Sequence, residues 1–197
     1  IDSLGYDWAG ISNYQAVDLR LDEMPKSVQA YEHGIGWQKH HQLLLGEASP
    51  NWFDFPLWQQ RWQKQTVISN LQHESNLLVL AHPKLRGAYS LEDMQYLSGY
   101  DCMEVLNHIG RSRDHWDAAL SAGKPIYLLS SDDCHNHEDL NKIAQNITLF
   151  KTTRNDQSGI INALKSGHSF GVDVQITSLD HSGRRAQIEA VPYPKSV

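Results

Sequence analysis

The chain has 197 residues, 40% of them hydrophobic, which is long enough for one sizeable core. Its formal net charge is −6 and its 17 Lys and Arg residues are dispersed, so we expect no non-specific nucleic-acid binding. No apolar run approaches the roughly 20 residues that cross a bilayer, and with only Cys102 and Cys134 neither a disulfide framework nor a cysteine-based zinc site is expected.

Short apolar or β-rich runs predict strands, in chain order, at 6–12, 27–34, 41–46, 76–83, 101–107, 125–131 and 146–152. Helical patterns cover 56–75, 90–99, 112–124 and 155–167. In the first helix Trp58 and Trp62 share an i, i+4 face, which predicts that both pack in the core. Ser90 is predicted to cap the second helix, and Gly123 and Gly167 to end the last two.

The alternation of strands and helices over 76–167 predicts parallel βα units, and hence a barrel or a doubly wound sheet. The turn-rich, aromatic region 47–56 predicts a loop over one mouth of the fold. Two alternating stretches around "HSGR" predict strands in the tail. We therefore divide the chain into an α/β domain, 1–172, and a β-rich tail, 173–197, which is a closing hairpin or the start of a further module.

Side chains that can ligate metals lie on or follow several predicted strands: Glu32, His41, His82, Glu104, Asn107, Asp132, Asp133 and His135. In parallel α/β folds the C-terminal ends of the strands gather such groups on one face. Imidazole and carboxylate ligands without thiolates suit zinc, manganese or iron, and such ions activate water for hydrolysis. These residues therefore predict metal-assisted hydrolysis.

The stretch "AHPKLRGAYSLEDMQYLSGYDCMEVLN" followed by "WDAALSAGKPIYLLSSDDCHN" resembles the second half of the polymerase and histidinol phosphatase (PHP) superfamily of metal-dependent phosphoesterases. The motifs that carry the resemblance are His82-Pro83, Glu104-Val105 and Asp133-Cys134-His135. It covers residues 3–172, most strongly 76–137. It implies a distorted (β/α)7 barrel of PHP type that hydrolyses phosphate esters through metal-activated water.

The resemblance also implies roles for single residues. Glu32 matches a carboxylate that bridges two metals, and His41, before the apolar run that ends at Gly46, matches a ligand. The implied metal ligands are Glu32, His41, His82, Asp133 and His135, holding one to three divalent ions. Of these, Glu32, Asp133 and His135 are the implied catalytic residues. His40 or His33 could replace His41.

The chain departs from the PHP pattern in two places. The opening H-x-H motif is absent, and because the chain begins at Ile1 in what reads as the next helix, we expect that motif upstream. The family's T-D-H motif is replaced by Ser12-Asn13-Tyr14, so Tyr14 stands where a ligand His is expected. The site of Glu32, His41 and His82 is expected to be intact and the others incomplete.

Several residues keep more than one interpretation. Glu104 is a ligand, a residue that orients a ligand, or the partner of a barrel lysine. Asn107 holds the loop backbone or contacts substrate. Asp132 and His137 are better explained as a strand-end cap and a solvated turn residue.

Basic and aromatic side chains near the predicted active face could contact a substrate. The phosphate-binding candidates are Arg111, Arg113, Lys84 and Arg86, since such groups pair with phosphate oxygens. The alternative for Arg111 and Arg113 is a solvated helix start. Trp37 and Trp52 fall in loops near the predicted mouth and could cover the substrate. The glycines of "EHGIGW" do not open a helix after a strand, so this stretch predicts no dinucleotide site.

The sequence thus favours a metal-dependent phosphoesterase that acts on a small phosphorylated molecule. The alternatives are an impaired PHP-like module that binds metal or sugar phosphate, and a metal-dependent hydrolase of a non-phosphate bond. The sequence does not set the oligomeric state, and the compartment, cytoplasmic or periplasmic, stays open.

Overall fold

A computed structural model describes residues 6–18, 26–46, 49–72, 77–136, 142–143, 145–179 and 186–190. Its strands are β1 (Ala9–Ile11), β2 (Ser27–His33), β3 (Gln42–Leu45), β4 (Leu77–Leu80), β5 (Cys102–Asn107), β6 (Gly110–Arg111), β7 (Tyr127–Ser130), β8 (Asn146–Phe150), β9 (Ser169–Leu179) and β10 (Ala186–Ala190). Its α-helices are α1 (Arg61–Gln72), α2 (Leu91–Tyr96), α3 (Arg113–Ser121) and α4 (Gln157–Lys165). The predicted mixed α/β class is confirmed.

The main sheet has seven strands in the order β1-β2-β3-β4-β5-β6, with β7 also paired to β5. The pairs β1–β2, β4–β5 and β5–β7 are parallel, whereas β3 runs antiparallel to both β2 and β4. The sheet curls into half a barrel. Its strands are therefore not all parallel. Because β3 is reversed, the residue that precedes it lies at the edge where β2 and β4 end.

Strand β4 lies at the centre of the core because both of its faces are covered. Leu78 and Leu80 pack in a cluster with the apolar face of α1, while Leu77 and Val79 pack in a second cluster with α4. All four side chains are fully buried, as the continuous apolar run predicts. Helix α4 thus covers one face of the curled sheet and α1 the other.

The prediction for Trp58 and Trp62 is wrong. Helix α1 begins at Arg61, so Trp58 precedes it, and the two indoles are 69% and 59% exposed. The buried face of α1 is instead formed by Lys64, Val67, Ile68 and Leu71. These four positions follow the i, i+3, i+4, i+7 spacing of a helix face. For Trp58 the prediction fails because the helix begins at residue 61 and not at residue 56, where the pattern placed its start. For Trp62 it fails because this residue lies on α1 but not on the buried face.

The tail forms strands as predicted. Strand β10 pairs antiparallel with β9, and β9 pairs antiparallel with β8. Strand β9 begins at Ser169, so it continues across the predicted division after residue 172. Among the described residues, no helix combines the length and apolar character needed to span a membrane.

A buried ion pair joins α1 to α2. Ser90 caps α2 as predicted, its side chain accepts from the Asp93 backbone N–H, and Asp93 Oδ2 accepts from the Ser90 backbone N–H. The same Oδ2 accepts from Lys64 Nζ at 2.7 Å. Burial alone would raise the pKa of Asp93, but its bonds to Lys64 and Ser90 outweigh burial and lower it.

We predict that Asp93→Asn lowers the free energy of unfolding at pH 7 by about 3 kcal/mol, because it leaves the Lys64 ammonium buried without its partner. Since the pKa of Asp93 is lowered in the folded state, this stabilisation exists above the unfolded-state pKa of about 3.9 and is lost as pH falls below it. Denaturant titrations at pH 7 and pH 3 measure both effects.

The double variant Lys64→Met/Asp93→Asn is the matched control. It removes both charges, and we expect it to recover part of the stability. An Asp93→Asn protein as stable as the wild type at pH 7 would contradict the assigned role of the pair.

Candidate metal centre

Five strands bring polar side chains to one edge of the curled sheet. Strands β2, β4, β5 and β7 run in the same direction, so their C-terminal ends lie together. Strand β3 runs the other way, and the residue that precedes it, His41, therefore lies at this same edge. An all-parallel sheet would have placed His41 at the opposite end. The reversal of β3 is what allows the β2–β3 hairpin to supply two ligand-type residues.

Strand alternation points the side chains of Glu32 and Glu104 to the same face of the sheet. Val28 and Ala30 on β2 pack in the cluster covered by α4, and Glu32 continues that face of the strand. On β5, Cys102 belongs to the same cluster and Glu104 follows two residues later. The carboxylates therefore extend the α4-covered face toward the C-terminal edge, where the apolar cluster ends.

Glu32, His41 and His82 form the centre of the site. Each offers one donor atom, and the three donor atoms lie within 4.8 Å of one another. Oε1 of Glu32 accepts a hydrogen bond from His41 Nδ1 and lies 3.1 Å from His82 Nε2. All three residues are buried. The imidazole rings of His41 and His82 meet edge to face, with centroids 5.1 Å apart.

The triad fits a divalent cation by its donor chemistry. His41 Nε2 and His82 Nδ1 are buried and have no hydrogen-bond partner in the described part of the chain. Two imidazoles and one carboxylate are a ligand set of zinc, manganese and iron sites. Donor atoms around one tetrahedral zinc ion are about 3.5 Å apart. The three donor atoms of the triad lie within 4.8 Å of one another, so they are near enough to share one ion.

The carboxylate of the triad carries the charge that suits a cation. Burial alone would raise the pKa of Glu32, but the hydrogen bonds and charges of His41 and His82 outweigh it and lower this pKa to about 2. Burial lowers the pKa of His41 against the opposing pull of Glu32. The pKa of His82 is raised because Glu32, Glu104 and Asp133 together outweigh its burial. Glu32 is thus an anion at neutral pH.

Gly34 makes room for His41. It follows β2 with φ of +117°, a conformation that side chains with a Cβ avoid. A Cβ added at Gly34 would lie 2.8 Å from Cδ2 of His41 and 2.9 Å from the backbone oxygen of His40. The hairpin can therefore bring His41 against Glu32 only if residue 34 is glycine.

Glu104 holds two loops of the site together. Its Oε2 accepts from the backbone N–H of His82 at 2.7 Å, and its Oε1 accepts from the Ser131 hydroxyl. Burial raises the pKa of Glu104, and the charge of Asp133 adds to this effect. Of its three interpretations, orienting a ligand is the one these contacts support, and among the described residues no lysine forms an ion pair with it.

Asp133 and His135 flank the triad. Asp133 follows β7 at φ of +49°, and its charge acts on the pKa values of Tyr14, His82 and Glu104. Nδ1 of His135 lies 2.9 Å from the Asp133 backbone oxygen, and because a carbonyl only accepts, Nδ1 carries the proton of this hydrogen bond. The His135 side chain is 61% exposed. This pair lies at the open side of the site.

Tyr14 lies between the triad and the pair of Asp133 and His135. Its backbone pairs with Glu32, and its ring centroid is 5.2 Å from that of His41 and 6.3 Å from that of His135. Burial, with the charges of Glu32 and Asp133, raises the pKa of Tyr14 to about 12. The phenol is therefore neutral at physiological pH. It belongs to the residue that stands where the sequence pattern led us to expect a ligand imidazole.

Backbone strain is concentrated around this edge. Within the described chain, six residues other than glycine have positive φ, and five of them border the site: Gln15, Lys39, His82, Arg86 and Asp133. Each such backbone conformation costs of order 1–3 kcal/mol of folding free energy, and strain of this kind is typical of functional sites.

The two histidines considered in place of His41 lie elsewhere. His33 follows Glu32 on the strand and points to the opposite face, where its ring nitrogens contact Gln42 Oε1 at 2.8 Å and the Phe53 oxygen at 3.0 Å. His40 packs edge-on against Tyr89, and burial lowers its pKa to about 4. Neither belongs to the cluster of donor atoms found among the described residues.

The remaining predicted residues have mixed placements. Asp132 Oδ1 accepts from the backbone N–H groups of Gln145 and Asn146, which is the capping role expected of it. Asn107 is buried at the end of β5, and its Oδ1 accepts from the Ile109 N–H. All four basic candidates are exposed side chains on nearby segments: Lys84, Arg86, Arg111 and Arg113. The prediction for His137 lies outside the described residues.

Sequence reasoning missed Ser131 and Gly34. Ser131 carries no ligand-type group, and only its hydrogen bond to Glu104 assigns it a function. For Gly34 the sequence indicated only that it does not belong to a dinucleotide motif. The sequence did offer one signal for Gly34. This glycine lies directly between a predicted strand that carries a carboxylate and a loop that carries two histidines.

Comparison with known proteins supports the fold. No protein-family profile and no curated protein matches the sequence. A crystal structure of a two-domain protein from Bacteroides vulgatus that contains a predicted PHP-like metal-dependent phosphoesterase is similar, with a TM-score of 0.57 and 10% identity. The match covers 89% of this chain, and this chain spans 64% of that protein. The fold is thus similar to that of a PHP-like protein.

We predict that Gly34→Ala lowers the affinity for Zn²⁺ or Mn²⁺ at least tenfold, although residue 34 offers no ligand atom, because the methyl group would displace His41. Metal titration with a competing chelator measures the affinity. Gly123→Ala is the matched control: Gly123 also has positive φ, at +78°, but no atom lies within 4 Å of the place its new methyl group would take. Equal losses in the two variants would mean that backbone strain, and not His41, is responsible.

Proposed function

We propose that this chain is a metal-dependent phosphoesterase-like hydrolase with a PHP-type barrel, of which the curled sheet is a part. The observation that carries the proposal is the buried triad of Glu32, His41 and His82 at the C-terminal edge of the sheet. The similarity to a PHP-like structure supports the same function class. The proposed partner is a small phosphorylated molecule.

A divalent ion held by the triad would supply Lewis-acid polarisation of a phosphoryl oxygen and a lowered pKa for an attacking water. Zinc, manganese or iron is our proposal for the ion, since all three accept imidazole and carboxylate donors. Glu32 contributes the negative charge, and its buried position limits competition from solvent. Glu104 holds the backbone of His82 and so fixes the direction of that imidazole.

Asp133 and His135 are proposed to act on the open side of the site. Asp133 adds a second carboxylate near His82, and His135 is exposed enough to reach a bound substrate. In this arrangement Asp133 is suited to orient a water or hold a further ion, and His135 to exchange a proton with the reacting group. Both residues lie on the loop after β7, so this one loop would supply both roles.

A second candidate function is supported by Tyr14. Its neutral phenol lies between His41 and His135, and a phenol is a poorer metal ligand than an imidazole. A chain that holds one ion at the triad without completing the further sites would bind a phosphorylated molecule and not hydrolyse it. Hydrolysis of an amide or carboxylic ester remains the third proposal, because activated water is not restricted to phosphorus.

We predict that the purified protein contains at least one zinc, manganese or iron ion per chain, and that a metal-loaded sample hydrolyses phosphate esters. His82→Ala and Asp133→Asn should each lower turnover by about 100-fold or more, because His82 would hold the ion and Asp133 would orient the water or hold a further ion. Elemental analysis gives the metal content, and release of inorganic phosphate gives the rate.

The control is His168→Ala, which removes an exposed imidazole after α4. Its turnover should equal that of the wild type. Metal content without turnover on phosphate esters, amides or carboxylic esters would favour the binding module. A protein free of metal after reconstitution with zinc, manganese and iron would contradict all three functions.

A further inference from the structure

Two cationic side chains of the described chain stand at the rim of the triad without a carboxylate partner. Lys39 Nζ lies 4.9 Å from the ring centroid of Tyr14, and the Arg86 guanidinium lies 5.1 Å from that of Trp37. Among the described residues neither forms an ion pair with an acidic side chain. Both charges are therefore available to a ligand.

Both cations act on the site itself. The charge of Lys39 contributes to the pKa of His41, and the charge of Arg86 contributes to that of Tyr14. Lys39 lies in the hairpin that supplies His41, and Arg86 lies in the loop that follows His82. The two loops that carry the triad histidines thus each carry one cation to the same rim.

The cations are held in place. Arg86 Nη1 donates to the Trp37 backbone oxygen at 3.3 Å, which ties the loop after His82 to the β2–β3 hairpin. Lys39 and Arg86 both have positive φ, at +61° and +52°. A side chain on a backbone fixed in this way loses less conformational freedom when it binds a ligand.

We propose that Lys39 and Arg86 form an anion-binding rim that selects a terminal phosphate, and hence a phosphate monoester over a diester. This proposal rests on the proposed function. A monoester carries up to two negative charges and three non-bridging oxygens, so oxygens remain for an ammonium and a guanidinium when one contacts the metal centre. A diester has one charge and two such oxygens. Lys39 and Arg86 would bind the phosphate directly and take no part in proton transfer.

The test is isothermal titration with two probes, inorganic phosphate and dimethyl phosphate, on metal-loaded and on metal-free protein. We expect the metal-loaded wild type to bind inorganic phosphate more tightly. Lys39→Gln and Arg86→Gln should each weaken phosphate binding about tenfold, since each removes a charge-assisted hydrogen bond, and should change dimethyl phosphate binding less. Metal content, measured in parallel, should stay that of the wild type.

Lys165→Gln is the matched control, because Lys165 is an exposed cation near the start of β7, at the opposite edge of the sheet. Lys39→Arg tests folding of the altered hairpin and should retain most of the phosphate affinity. The proposal is overturned if the double variant Lys39→Gln/Arg86→Gln binds phosphate as the wild type does, or if Lys165→Gln loses as much. Equal losses for both probes would overturn the selection of monoesters.

The metal measurement separates this proposal from the function on which it rests. If the wild type holds no metal, the proposed hydrolase fails, and the titration of metal-free protein decides the rim alone. Phosphate binding that depends on Lys39 and Arg86 would then still support the rim. If the metal-free wild type failed to bind phosphate in that case, the rim would be overturned.

Discussion

The interaction on which the site depends is the contact of one buried carboxylate, Glu32, with two imidazoles. A carboxylate taken out of water is costly unless it is paired and hydrogen-bonded. His41 and His82 meet that cost, and the pKa of Glu32 falls to about 2 as a result. The same grouping is a candidate cation site, because the donors that stabilise the anion are ligand nitrogens when they lose their protons. Pairing and metal binding therefore use the same three side chains.

The rest of the fold serves to bring these three residues together. The antiparallel β3 delivers His41 to the edge where β2 and β4 end, and Gly34 permits the close approach of the hairpin. Glu104 then ties the His82 backbone to the loop after β7 through Ser131. Positive φ angles at His82 and Asp133 show that the backbone is held against its own preference. The core beneath, with β4 covered on both faces, supplies the stability that such strain requires.

Tyr14 gives the site its individual character. It pairs with Glu32 as the first strand would in a parallel sheet, yet it brings a neutral phenol where an imidazole was expected. Lys39 packs on that phenol, so the residue that departs from the family pattern also supports one of the two cations of the rim. The departure and the anion-binding rim are thus parts of one arrangement.

The sequence by itself determined the α/β class, the buried strand β4, the Ser90 cap, and the residues that converge at the edge, because hydrophobic period, capping chemistry and strand-end position are local properties. It favoured His41 over His40 only through the spacing to Gly46 and left His40 and His33 as substitutes, since which histidine faces Glu32 depends on the direction of β3 and the turn at Gly34. It misplaced Trp58 and Trp62, because an apolar i, i+4 pair says neither where a helix begins nor which of its faces is buried. Only the tertiary structure decided that Ser131 supports Glu104, that Lys39 lies over Tyr14 and that Arg86 lies over Trp37, because these contacts join residues distant in the chain.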